Sequence, residues 1–146
     1  MKHLVLCILL IAGGFFVFSR FRVPAENVEN KLYKNQVDLG PQTNSEGSVS
    51  VGVTPIDISE SSKPWKFKIT LSTHSEELDQ DLTKITALTD SKGNVYQPIF
   101  WEGSPPGGHH REGTLSFEPI SPRPNKIVME VKEIGGVAKR EFNWTF

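Results

Sequence analysis

Three of the four histidines in this chain stand where loop chemistry would need them. His109 and His110 are neighbours within Pro105-Pro106-Gly107-Gly108-His109-His110-Arg111-Glu112-Gly113, and His74 lies in Thr73-His74-Ser75; His3 belongs to the N-terminal leader. Imidazole is both a common metal ligand and a proton carrier near neutral pH. A metal site would use His74 with His109 or His110, and oxygen from Glu102, Glu112, Asp79 or Asp81. Imidazole with carboxylate suits zinc or Cu(II). Adjacent residues on a regular strand face opposite ways, so one histidine of the pair would ligate and the other orient a partner or the loop. Met129 is the only methionine beyond Met1, which excludes a methionine-rich Cu(I) site.

A plainer account competes with the metal. Histidine and arginine side chains donate well to backbone carbonyls, so His74, His109, His110 and Arg111 would pin two loops together. A third reading is recognition of an organic ligand, with Trp101 as a stacking platform; Trp101 as core at a strand end is preferred. The pinning and metal readings share one geometric expectation. The 73–75 corner and the 107–113 loop should meet at one end of the domain, with a His74 ring nitrogen close to Gly107–Arg111.

The segment Ser75-Glu76-Glu77-Leu78-Asp79-Gln80-Asp81-Leu82 carries acids at four of eight positions. Leu78 and Leu82, spaced i, i+4, predict one helical turn with leucines inward and acids solvated. A calcium loop is the weaker reading, because the glycine that bends such loops is missing. Enzymatic motifs are lacking: there is no Gly-x-Ser-x-Gly elbow, no His-Glu-x-x-His helix and no glycine-rich phosphate loop. The expectation is a non-enzymatic protein without a cofactor of its own.

The elements that must position these groups alternate with period two from residue 48 onward. Val49, Val51 and Val53 share a face; Trp65, Phe67, Ile69 and Leu71 alternate with Lys66, Lys68, Thr70 and Ser72, as half-buried antiparallel strands do. Further strands are expected at Lys84–Asp90, Asn94–Trp101, Gly113–Glu118, Lys126–Glu133 and Ala138–Phe146. Asp90-Ser91-Lys92-Gly93-Asn94 and Gly135-Gly136 supply hairpin turns. About seven short strands in roughly one hundred residues predict an all-β, immunoglobulin-like antiparallel β-sandwich over 48–146.

Several of these motifs together resemble a bacterial family of uncharacterised exported or membrane-anchored immunoglobulin-like β-sandwich domains. The resemblance runs over 48–146. It is carried by Thr73-His74-Ser75, Leu78-Asp79-x-Asp81-Leu82, Ala87-Leu88-Thr89-Asp90, Gly93, Pro98, Trp101 and Gly107-Gly108-His109-His110-Arg111-x-Gly113-x-Leu115-x-Phe117. It closes with Ile134-Gly135-Gly136-Val137 and Arg140-x-Phe142-x-Trp144. The resemblance implies a sandwich at the cell surface and supplies no catalytic residues.

The N-terminus predicts location. Leu4 to Phe18 is an uninterrupted apolar run, followed by Arg20 and Arg22. Fifteen helical residues span roughly 22 Å, short of the ~30 Å hydrocarbon core, but extension through Val23 with snorkelling arginines makes spanning feasible. Residues 1–23 are therefore expected to be a transmembrane anchor or, alternatively, a cleaved signal helix. Phe15, Phe16 and Phe18 favour retention. Residues 24–47 read as a polar spacer. From Pro24 on, 13 Lys and Arg stand against 17 Asp and Glu, a formal charge of −4; that balance argues against nucleic acid as a partner. Cys7 is the only cysteine, so the outer domain relies on its core and not on disulfides. The functional expectation is a membrane-tethered extracytoplasmic binding module, held through residues 4–23 and engaging a protein of the envelope. The alternative is zinc or copper capture through the histidines.

Overall fold

The computed structural model describes residues 39–146; the anchor or signal assigned to 1–23 and the part of the spacer before residue 39 lie outside the described residues. Among the described residues, nine strands form two antiparallel sheets that enclose one core. The five-stranded sheet has the order β1 (Gln42–Asn44), β2 (Val49–Asp57), β3 (Trp65–Thr73), β7 (His110–Phe117), β6 (Pro98–Gly103). The four-stranded sheet has the order β5 (Val95–Tyr96), β4 (Thr86–Asp90), β8 (Lys126–Ile134), β9 (Val137–Thr145). One four-residue helix, α1 (Leu82–Ile85), precedes β4. No helix among the described residues is long and apolar enough to cross a membrane.

Alternation in the sequence becomes burial in the fold. Val49, Val51, Val53, Trp65, Phe67, Ile69 and Leu71 are all buried, and Leu115, Phe117, Ile127, Met129, Phe142 and Trp144 meet them in the core. Each such side chain contributes about 1.5–3 kcal/mol on leaving water. Phe67 anchors the middle, edge-on to Phe117 at 5.7 Å and tilted against Trp144 at 5.7 Å.

The sandwich has more strands than the alternation predicts, for two local reasons. Residues 42–44, assigned to the spacer, pair with Val53, Gly52 and Val51 as a short edge strand. The Gln42 side chain then spans to the other sheet, accepting from Asn143 N at 3.0 Å and donating to Asn143 O. A three-residue strand shows no period, so it reads as linker. The expected strand Asn94–Trp101 breaks at Gln97, and its halves, β5 and β6, pair with different sheets.

The hairpins and crossings leave two unlike ends. At one end meet the β1–β2 turn, the β3–α1 segment, the β6–β7 loop and the β8–β9 turn; this end is the tip. At the other lie the β2–β3 loop, the β4–β5 turn, the β7–β8 loop and the point where the chain enters at Leu39.

Candidate functional site

The tip is built from backbone first. Thr73 N donates to His109 O at 3.0 Å, while Gly107 N donates to Leu78 O at 2.8 Å and Leu78 N to Gly108 O at 3.0 Å. The two segments singled out by their histidines therefore meet as a small ladder. Glu77 Oε2 accepts from Gly108 N at 2.5 Å. Gly107 and Gly108 take φ of +106° and +75°, a region that favours glycine, so the motif's glycines are required by the turn itself. Thr73 Oγ1 donates to Ser48 O at 2.8 Å and brings in the β1–β2 turn.

Arg111 locks this ladder. It occupies the inward phase of β7, in line with Gly113, Leu115 and Phe117, and is only 3% exposed. Its Nη1 donates to Leu78 O at 2.9 Å and to Gln80 O at 2.8 Å. Trp101 covers it, with the guanidinium carbon 5.8 Å from the ring centroid. Room for that indole comes from Gly103 and Gly113, since a Cβ on either would stand 2.7 Å from the Trp101 ring. Trp101 Nε1 donates to Ser104 O at 3.0 Å, so the residue packs against the core edge with its polar atom occupied. Burial draws the Arg111 guanidinium down from its ordinary value, and the nearby charges of Asp79 and Asp81 act in the opposite direction.

Arg140 does the same for the neighbouring turns. It is 1% exposed and shares the inward phase of β9 with Phe142 and Trp144. Its Nη1 donates to Ile134 O at 2.6 Å, its Nη2 to Glu46 O at 2.7 Å and Val49 O at 3.1 Å, and its Nε to Asn44 Oδ1 at 3.1 Å. Burial lowers its pKa too, opposed by Glu46 and Glu76.

The histidines sit on the outside of this clamp. His74, His109 and His110 are exposed. The loops meet, as expected, but through Thr73, Leu78, the glycines and Arg111; no hydrogen bond among the described residues uses the His74 ring, and His109 contributes its carbonyl. His110 is not in a free turn but in β7, opposite Ser72. Of the seven residues expected to supply a metal set, Glu112 pairs with Lys68 at 3.3 Å, and Asp81 caps α1 by accepting from Thr83 N at 3.0 Å and Thr83 Oγ1 at 2.7 Å. Hydrogen bonds from Thr83 and Lys84 hold the Asp81 carboxyl below its usual range. Asp79 and Glu102 are exposed. Among the described residues, no group of three or more His, Cys, Asp or Glu is arranged to hold a metal ion. The turn expected at 75–82 starts later than the leucine spacing implies: Leu78 is buried from an irregular segment and Leu82 opens the helix.

Arg140 is the tip residue that loop-by-loop reading misses. Its signal was present, since a charge at a core-phased position of Arg140-x-Phe142-x-Trp144 must find buried acceptors. These two sheets, clamped at one end by buried arginines, define an all-β sandwich domain. No family model, curated protein or solved structure matches the chain.

Proposed function

We propose that the chain is a membrane-tethered extracytoplasmic module of immunoglobulin-like type that binds a protein of the envelope and carries no catalytic activity. The observation that carries this reading is the placement of the tip. Trp144 Nε1 donates to Gly40 O at 2.9 Å near the point where the chain enters, and β1 runs from there toward the tip. A spacer entering at one end leaves the opposite end free to meet a partner. At that tip an internally bonded base presents Pro105, Pro106, His109, His110 and His74, all exposed. Such a surface loses little freedom on binding, which favours affinity without a large area. An apolar segment at 4–18 supports tethering, and tethering raises the local concentration of tip and partner at the membrane.

The test is site-specific photo-crosslinking in intact membranes. A photoreactive residue at position 109 or 110 should capture one discrete envelope protein, and the same group at position 91 should capture none. Absence of any product at the tip, or equal capture at both positions, overturns the reading.

A further inference from the structure

The end opposite the tip holds two clefts separated by the β7–β8 loop, and Arg123 on that loop lines both. Its guanidinium carbon lies 3.9 Å from the Phe146 ring centroid, and Phe146 in turn packs against Trp65 at 6.0 Å. The head group is thereby fixed on an aromatic stack anchored in the core, and Phe146 N donates to Asn125 O at 2.9 Å to hold the stack in place. Yet Arg123 Nε is buried with no hydrogen-bond partner among the described residues, and no ion pair among them involves this side chain. Arg111 Nε likewise has no partner, but its Nη1 donates to two carbonyls of its own fold, and Arg140 donates from all three of its nitrogens; among the described residues, Arg123 has no such bond at any of them.

The acid that lines the smaller cleft, Asp90, makes no ion pair with Arg123. Asp90 accepts from Lys92 N at 2.8 Å, Asn94 N at 2.9 Å, Asn94 Nδ2 at 2.8 Å and Tyr96 Oη at 3.0 Å. Those donors take up its oxygens and hold its carboxyl down at about 2. The smaller cleft, of about 380 Å³, thus sets Arg123 and Lys92 against the single ionised Asp90, an excess of one positive charge, with Ser121 and Asn125 as neutral polar lining. The larger cleft sets Glu60 and Glu118 against Lys63 and Arg123, so it has no excess of positive charge for an anion.

We infer that the smaller cleft is a binding site for a carboxylate-bearing ligand, held by the planar fork of Arg123 with Lys92 at its rim. A fixed guanidinium matches a carboxylate in two parallel hydrogen bonds, a geometry lysine cannot offer. The volume suits a single sugar acid or the terminal residue of a peptide. This site is independent of the tip and of the partner proposed there.

Nitrogen-15 NMR of the full chain in detergent micelles reads the site directly through the Arg123 Nε–H resonance. Glucuronate and N-acetyl-Ala-Ala are the probes, with amide-capped N-acetyl-Ala-Ala as the control. At least one carboxylate should shift that resonance saturably with Kd of about 0.1–5 mM, and the amide should not. A tenfold preference for one probe names the source as sugar acid or peptide terminus, and equal binding supports the carboxylate class alone. Arg123→Gln should weaken binding at least about tenfold, Arg123→Lys about fivefold, and Glu118→Gln in the other cleft less than twofold. The inference falls if neither carboxylate saturates by about 50 mM, or if Arg123→Gln binds as the parent does. It falls equally if inorganic phosphate binds more tightly than both carboxylates.

Discussion

At the tip, two buried arginines bind carbonyls of other segments, Arg111 those of Leu78 and Gln80, Arg140 those of Ile134, Glu46 and Val49. At the opposite end Arg123 draws in none, and the Asp90 turn closes only on its own neighbours. The residue type is the same, and the difference lies in strand phase. Arg111 and Arg140 stand in line with core residues, so folding forces their head groups into places where only carbonyls can satisfy them. Arg123 stands on a loop, so its head group is left to lining clefts. The comparison teaches that a cation in a small sandwich is structural when phased inward and available when it is not.

Removing the clamps should break the tip and spare the other end. Arg140→Met has the largest expected effect, a loss of about 3–4 kcal/mol in urea unfolding, because it orphans the carbonyls of Ile134, Glu46 and Val49 at about 1–3 kcal/mol each, partly recovered by relaxation. A loss below about 1 kcal/mol would mean that the turns hold without it. Arg111→Met should cost about 2–3 kcal/mol. It should also speed hydrogen exchange at Leu78 N and Gly107 N while leaving Asn94 N unchanged; equal acceleration at both ends would erase the distinction between them.

At the opposite end the Asp90 turn gives a pH signature. The Asp90 carboxyl is lowered in the fold from 3.8 to about 2, chiefly by the Asn94 side-chain bond. Its stabilisation is therefore complete above the unfolded value and is lost as pH falls from 3.8 through about 2. The urea midpoint of Asp90→Asn should be lower than the parent's at pH 6 and approach it toward pH 2; parallel curves would show that Asp90 contributes nothing. The smallest effect belongs to the exposed rings. His74→Ala and His109→Ala should each change stability by less than about 0.5 kcal/mol, and a loss above about 1 kcal/mol would show that imidazoles pin the tip.

Much of the scaffold is legible in the sequence. Trp65–Thr73 alternates without a fault and forms a strand with those same bounds, because both of its faces have one fate each. β1 is not legible, since Gln42-Thr43-Asn44 is held by backbone pairing and by two amide side chains, neither of which leaves a periodic trace. The meeting of 73–78 with 107–110 follows from histidine and glycine placement. Which side chain does the tying does not, because attention falls on residue type, and the deciding property is phase: Arg111 in line with Leu115 and Phe117 carries the same signal as Arg140 with Phe142 and Trp144. The Arg123 cleft leaves almost no trace, being assembled from the β4–β5 turn and the β7–β8 loop, whose approach only the closed sandwich determines.

The reach of Arg140 sets an order of events. Its partners Asn44, Glu46 and Val49 lie more than ninety residues earlier in the chain, so the first turn of the sandwich is completed only by the last strand. A chain emerging residue by residue, from a ribosome or through a membrane, can pair β2 with β3 early and fasten Ser48 through Thr73, yet the Arg140 bonds to Asn44, Glu46 and Val49 are missing until residue 140 arrives. Loops closed over that span are slow to form. A truncation that stops before β9 should therefore yield a protein whose N-terminal turn is cut by proteases, although every residue of that turn is present.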